Sequence, residues 1–176
     1  MGLRFWNGVV LAGLGVLWLA SGTQREKPVL AIHSEAVGPL ESALASHPED
    51  VTKVQALGQS YLDARSPGLA VNLIESQPVH FRTDPQIQHL YARALLDQGR
   101  SADALAAEER VLDTCTAIIS SQNPRCSSWL IASATRRADI LRELGKLGVE
   151  DAQAYPEKSQ IAYHNATRQV GLVIHH

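Results

Sequence analysis

The chain has 176 residues, enough for one domain with a sizeable core. Its 16 basic and 18 acidic residues are interspersed and give a formal net charge of -2, so no basic face is available for the phosphates of a nucleic acid. Alanine and leucine are abundant, whereas aromatic residues and β-branched runs are few, and this composition favours an all-α fold.

The first predicted element is an apolar helix over residues 1–24. Residues 5–24 carry no charge, and at about 1.5 Å per residue such a helix approaches the roughly 30 Å hydrocarbon thickness of a bilayer. We therefore predict a transmembrane anchor, followed by a linker at 25–33. Ala20-Ser21-Gly22 resembles a cleavage site, so a cleaved signal peptide is the alternative. We favour retention because the apolar run is long and the bulky Trp18 lies close to that site.

One pattern recurs after 34 residues in the rest of the chain. Alignment of the chain with itself at this shift places alanine at positions 36, 70 and 104 in one column, and glutamate at 41, 75 and 109 in another. Several coincident columns indicate an internal repeat. Within residues 34–176 we predict a half unit at 34–48, units at 51–82 and 85–112, a cysteine loop at 113–126, and a degenerate unit with a C-terminal cap at 127–176.

Each full unit has the sequence pattern of two helices. Ser66-Pro67 supplies a cap and a first-turn proline for the second helix of the first unit. Asp84-Pro85 starts the next unit by the same device, Gly99 ends that helix, and Ser101 is predicted to cap the following one. In the first unit the three- and four-residue spacing predicts a core of Val54, Leu57, Gly58, Tyr61, Leu62, Ala70, Val71 and Ile74.

The last unit is less regular. Ser127-Ser128 predicts the start of a long helix that Gly145 and Gly148 end, residues 149–155 form a connector, and Pro156 opens a terminal helix. The predicted apolar faces hold Trp129, Ala132, Thr135, Ala138, Leu141 and Leu144 in the long helix, and Ile161, Ala162, Asn165, Ala166 and Val170 in the terminal one. An atypical last unit is typical of a solenoid cap.

These residues resemble the tetratricopeptide repeat, a helix-turn-helix unit of 34 residues with leucine, a small residue and tyrosine early and alanine after the turn. The pattern is carried by Leu57, Gly58, Tyr61 and Ala70 in one unit, and by Ala92, Leu95, Gly99 and Ala104 in the next. The resemblance covers residues 34–112 well and 127–170 loosely. It implies a right-handed solenoid of about three repeats, whose first helices line a concave groove for a peptide or partner helix.

The resemblance also implies which side chains face the groove. They are Gln55, Gln59, Asp63, His89, Arg93, Asp97, Thr135, Asp139 and Arg142. This row is polar and mixed in sign. It lacks the paired lysines and asparagines with which chaperone-binding members of the family hold a C-terminal carboxylate, so we do not expect that kind of partner.

Cys115 and Cys126, the only two cysteines, flank one short segment with Asn123-Pro124 as a turn. Two interpretations stay open. A disulfide would close this loop and place the domain in an oxidising compartment, whereas two free thiols would be buried. Neither a CxxC motif nor a histidine close to either cysteine indicates a redox or metal role.

No catalytic motif is present, since the chain has no GxSxG, HExxH, phosphate-binding glycine loop or haem attachment sequence. The histidines are scattered without i,i+4 pairing. The pairs Glu108-Glu109 and Glu150-Asp151 are typical of solvated helix ends or faces, and Arg136-Arg137 with Arg142 is typical of a salt-bridged surface. We therefore predict no catalytic residue, no metal, no cofactor and no small-molecule substrate.

The function predicted from these features is that of a non-catalytic protein-protein interaction adaptor or assembly factor, tethered to a membrane, that binds a protein partner or peptide in the groove. The alternative is a fixed structural accessory subunit of a larger membrane-bound complex. The layout is similar to that of bacterial envelope proteins in which one N-terminal helix carries a short tetratricopeptide domain. The expected location is the bacterial inner membrane with the domain in the periplasm, or the periplasm or exterior after signal cleavage.

Overall fold

A computed structural model describes residues 29–117 and 123–172, with side chains described for 37–117 and 123–168. These residues form eight α-helices and no β-strand, which confirms the all-α prediction. The helices are α1 Val29–Ser46, α2 Val51–Asp63, α3 Pro67–Glu75, α4 Val79–Arg82, α5 Pro85–Asp97, α6 Ser101–Thr116, α7 Ser128–Lys146 and α8 Pro156–Leu172.

The predicted membrane anchor at residues 1–24 lies outside the described residues. None of the described helices is long and apolar enough to cross a bilayer. Helix α1 begins at Val29, within the segment predicted as a linker, and contains Pro39. Helix α6 extends to Thr116, so Cys115 lies in its last turn and not in the cysteine loop.

Local sequence signals set several of the helix ends. The Asp84 carboxylate accepts hydrogen bonds from the N–H groups of Gln86 and Ile87 at 2.9 and 3.2 Å, which caps α5. Ser127 Oγ accepts from the N–H of Leu130 at 3.1 Å and caps α7. Gly99 follows α5 with a φ of 77°, a left-handed conformation in which glycine carries no side-chain penalty.

Two serines predicted as caps behave differently. Ser66 stands at the N-cap of α3 but makes no capping hydrogen bond, and its hydroxyl donates to the carbonyl of Ala64 at 3.3 Å. Ser101 is the first residue of α6 and not its cap, and its hydroxyl donates to the carbonyl of Glu150 at 2.5 Å. Ser101 therefore ties the start of α6 to the connector before α8.

The helices pack in chain order. Each of the pairs α1–α2, α2–α3, α3–α5, α5–α6, α6–α7 and α7–α8 is in contact, with the short α4 between α3 and α5. Further contacts join α2 to α5 and α5 to α7. The first helices of the three units, α2, α5 and α7, therefore lie side by side and form one surface.

The glutamate column of the repeat contacts the following helix in every unit, through partners at different positions of the repeat. Glu41 on α1 accepts from the hydroxyl of Tyr61 on α2 at 2.6 Å, and Glu75 on α3 accepts from the hydroxyl of Tyr91 on α5 at 2.6 Å. Glu109 on α6 pairs with Arg142 on α7 at 3.1 Å. Each glutamate thus links the second helix of one unit to the first helix of the next, and the glutamates follow the 34-residue period whereas their partners do not.

The predicted core of the first unit is confirmed, since all eight of its residues are buried. The small residues have a packing reason. A Cβ atom added at Gly58 would lie 2.7 Å from Leu90 Cδ2, so in the present packing of α2 and α5 a side chain at residue 58 would displace the end of the Leu90 side chain. Ala70, Ala92 and Ala104 are fully buried as well.

The predicted apolar face of α7 is wrong in its first turns. Trp129 is 70% exposed, and Ala132 and Thr135 are exposed, while Leu130 and Ala134 are buried in their place. Leu130 and Ala134 pack on the end of α6, so the position of α6 determines which side of α7 is covered. From Ala138 onward the prediction holds, because Ala138, Leu141 and Leu144 are buried. In α8, Ala162 and Ala166 are buried but Ile161 is 50% exposed.

Candidate partner-binding groove

A cavity of about 410 Å³ opens on the surface formed by α2, α5 and the start of α7. It is lined by Thr52, Gln55, Ala56, Gln59, Gln86, His89, Leu90, Arg93, Ser127, Trp129 and Leu130. Gln55 and His89 are 34 residues apart, as are Gln59 and Arg93, so α2 and α5 contribute equivalent positions of the repeat. We refer to this cavity as the groove.

Arg93 is the fixed positive charge of the groove. Its Nη1 donates to Gln59 Oε1 at 2.6 Å, and the Gln59 amide nitrogen donates to Asp63 at 2.7 Å. No aspartate or glutamate is among the lining residues. Within the described residues, Arg93 forms no ion pair, in contrast to Arg125, Arg137 and Arg142.

A buried polar network lies beneath the groove. Glu108 on α6 is 0% exposed, and its two carboxylate oxygens lie 2.8 Å from His89 Nδ1 and 2.6 Å from Arg137 Nη1. Ser133 Oγ lies 3.1 Å from His89 Nε2. Because a carboxylate only accepts, Nδ1 of a neutral His89 donates to Glu108 and Nε2 accepts from the Ser133 hydroxyl. The network therefore joins α5, α6 and α7 through charge-assisted hydrogen bonds.

The order Ser133, His89, Glu108 matches the hydrogen-bond order of a nucleophile, base and carboxylate triad. Two features separate it from a working triad. Arg137 holds the second oxygen of Glu108, so the carboxylate is already paired with a full positive charge. Ser133 lies inside α7, where backbone N–H groups are engaged within the helix and do not form an oxyanion site. The contacts hold α5, α6 and α7 together.

Trp129 forms one wall of the groove. Its ring meets the His89 ring edge-on, with centroids 6.1 Å apart and planes at 85°, an arrangement that aromatic pairs favour. Because the other side of the ring is open, the residue stays 70% exposed. Large aromatic side chains held from one side and open on the other are common energetic centres of protein interfaces.

A disulfide fixes the chain just before Trp129. Cys115 and Cys126 are bonded at 2.03 Å, with their Cα atoms 5.4 Å apart, so the structure supports the disulfide and not the free thiols. Arg125 Nε also bonds Asp84 at 2.8 Å, and this ties the same segment to the start of α5. The position of Trp129 thus depends on one covalent bond, Cys115–Cys126, and on one ion pair, Arg125–Asp84, both made by residues that precede it in the chain.

The groove contains four of the nine residues implied by the resemblance, namely Gln55, Gln59, His89 and Arg93. His89 is buried at 6% exposure and forms the floor. Asp63 lies one turn beyond the groove. Asp97 lines a separate cavity with Arg65 and Gln153.

The three predicted groove residues of α7 lie further from the groove. Thr135 is exposed, and Asp139 and Arg142 form an ion pair at 2.8 Å that Glu109 extends. The prediction that Glu108 is solvated is wrong, whereas Glu109 beside it is half exposed. A signal for this burial exists in the repeat, because Glu108 stands 34 residues after Ile74, which is 1% exposed.

Comparison of the chain with protein-family models, curated proteins and solved structures gives no match.

A second cavity of about 510 Å³ lies on another surface, between α3, α5 and α6. Among the described residues, no three His, Cys, Asp or Glu side chains lie close enough to hold a metal ion.

Proposed function

We propose that this chain is a non-catalytic interaction protein, an adaptor or assembly factor that binds a segment of a protein partner in the groove. The observation that carries the proposal is the groove itself: adjacent helices from successive units line it, and it combines an exposed Trp129, the apolar Leu90 and an Arg93 that forms no ion pair with a described residue. Apolar pockets with a few convergent polar groups are the usual form of binding sites.

Membership of the tetratricopeptide repeat family, with its right-handed solenoid, is part of this proposal. It is supported by the contacts that recur with the repeat, from the glutamates of α1, α3 and α6 to the following helix. A bond between equivalent positions, from Arg93 to Gln59, adds to this support. Solenoid repeats contact mainly their neighbours and present one continuous surface to a partner.

A location outside the cytoplasm is also proposed, with the domain held at a membrane by residues 1–24. The Cys115–Cys126 bond supports it, since disulfides persist in oxidising compartments such as the periplasm. Alkylation of the protein in intact cells before and after reduction tests this location. Free thiols that react without reductant would contradict it.

Photo-crosslinking tests the binding surface directly. A photoreactive amino acid replaces Ala56, an exposed residue that lines the groove, or Ala106, an exposed residue of α6 that does not. Both positions are alanines on helices, so the two variants form a matched pair. We expect a discrete crosslinked partner from position 56 in native membranes and none from position 106. Equal crosslinking from both positions would refute a groove-centred interaction.

The second candidate is a fixed accessory subunit of a larger membrane complex. Apolar side chains exposed at the C-terminal end favour it, because Tyr155, Ile161 and Tyr163 are each about half exposed and a permanent neighbour would cover them. A photoreactive residue at Ile161 separates the two candidates. A fixed subunit should crosslink from position 161 as well as from 56, and an adaptor from 56 alone.

A further inference from the structure

The groove has three kinds of free binding group, and their arrangement identifies a class of partner. The inference rests on the proposed function, since it assumes that the groove binds a protein segment. The apolar part consists of the open face of Trp129 with Leu90 and Ala56. An apolar side chain of a partner would bury area against these groups, which is the main favourable term in such contacts.

The second kind is charge. Arg93 is the one arginine lining the groove, and no described carboxylate pairs with it. One of its nitrogens bonds Gln59, which orients the guanidinium and leaves its other N–H groups available. A partner carboxylate would complete a charge-assisted pair at this position.

That carboxylate belongs to a side chain and not to a chain end. Chain ends are commonly captured by free backbone N–H groups, whereas Arg93 and Gln59, the groups beside that carboxylate, lie in the interiors of α5 and α2, where the N–H groups are bonded within the helices. The third kind of group fits a continuing chain. The side-chain amide of Gln55 makes no hydrogen bond to another described residue. The side-chain amide oxygen of Gln86 likewise accepts no hydrogen bond from a described residue. Both can pair with peptide main-chain groups.

The spacing follows from the helix. Arg93 stands one turn after His89, about 6 Å further along the axis of α5, and His89 is the residue that Trp129 contacts. In an extended segment, residues i and i+2 point to the same face and lie about 6.6 Å apart. With the axial position of Trp129 taken as that of His89, an apolar side chain on Trp129 and an acidic one on Arg93 correspond to positions two apart.

We propose that the groove binds an extended segment of a partner protein in which an apolar residue and an aspartate or glutamate stand two positions apart, in either chain direction. The apolar side chain packs on Trp129 and Leu90, and the acidic side chain pairs with Arg93. The Gln55 amide meets the main chain between them.

Selection from a displayed library of random decapeptides tests this pattern on the full chain, on Arg93→Gln, and on Arg136→Gln as the matched control. Arg136 is an exposed arginine of α7 outside the groove. The full chain and the control should enrich an apolar residue two positions from an acidic one. With Arg93→Gln the apolar preference should remain while the acidic preference disappears.

A synthetic peptide from the selection, made with an amidated end, gives the magnitude. Replacing its acidic residue by the matching amide should weaken binding to the full chain about tenfold or more and leave binding to Arg93→Gln unchanged. The peptide substitution needs no protein variant, so it decides the question even if Arg93→Gln fails to fold. Peptides enriched without an acidic residue, an acidic preference that survives Arg93→Gln, or no enrichment at all would overturn the inference. A partner crosslinked from position 56 that lacks this pattern would refute this inference alone and leave the proposed function standing.

Discussion

Removal of the Glu108 carboxylate tests whether the buried network holds the three units together. In Glu108→Ala, Arg137 and the Nδ1–H of His89 lose the acceptor that they reach at 2.6 and 2.8 Å. Breaking a buried pair by removing one partner costs about 3–5 kcal/mol, because the remaining charge stays desolvated and unpaired. A domain of this kind has a total stability of roughly 5–15 kcal/mol, so this loss is a substantial part of the total.

The neighbouring residue supplies the matched control. Glu109 is on the same helix and also pairs with an arginine, but its side chain is 47% exposed. Solvent-exposed pairs of this kind contribute about 0.2–1 kcal/mol, so Glu109→Ala should lower the free energy of unfolding by no more than that. The same residue type at adjacent positions thus gives two costs that differ through burial and through the second partner, His89, of Glu108.

Urea denaturation followed by far-ultraviolet circular dichroism measures both costs, with slopes compared to verify that the unfolding transition is unchanged. A double-mutant cycle with Arg137→Ala isolates the coupling of the pair, which we expect to be on the order of 1–3 kcal/mol. The reasoning is refuted if Glu108→Ala costs no more than Glu109→Ala.

Three further predictions concern the disulfide, the helix contacts and the tyrosines. Reduction of the disulfide, which closes a loop of sequence separation 11, should lower the free energy of unfolding by about 3 kcal/mol; unaltered denaturation in reductant would contradict this. Gly58→Ala should destabilise the domain by about 1 kcal/mol net, because the new Cβ meets Leu90 at 2.7 Å. Gly145→Ala, with nothing within 4 Å, should stabilise it by up to about 1 kcal/mol, and the opposite order in thermal melts would refute the packing argument. Burial and the glutamate partners raise the pKa of Tyr61 and of Tyr91 to about 12. As the pH rises, the unfolded chain therefore loses these protons before the folded chain does. The stability that the protonated tyrosines contribute below pH 10 is lost between about pH 10 and 12. Denaturation measured between about pH 10 and 12 should show a smaller loss of the free energy of unfolding in Tyr61→Phe and in Tyr91→Phe than in the unsubstituted chain. An identical loss would exclude these tyrosines as the cause.

The sequence alone predicts the longer helices, but not the short α4, and it predicts the core of the first unit. The Asp84 cap, the glycine after α5 and the three- and four-residue spacing of Val54, Leu57 and Tyr61 act within one or two helical turns. Such signals are readable because both the pattern and its structural consequence are local. The two cysteines are close enough in the chain for a disulfide to be predicted, although the sequence left free thiols open.

Tertiary contacts, and not the local sequence, decide how polar residues are distributed between core and surface. Glu108 resembles Glu109 in its local sequence, yet it is fully buried because His89 and Arg137, which lie 19 and 29 residues away, supply its partners. Trp129 is apolar by sequence and yet exposed, because α6 covers the adjacent side of α7 at Leu130. Helical periodicity predicts that a residue belongs to one face of its helix. Which face other helices cover depends on residues that are distant in sequence. The groove is made of such faces, and so its composition emerges only when α2, α5 and α7 are brought together.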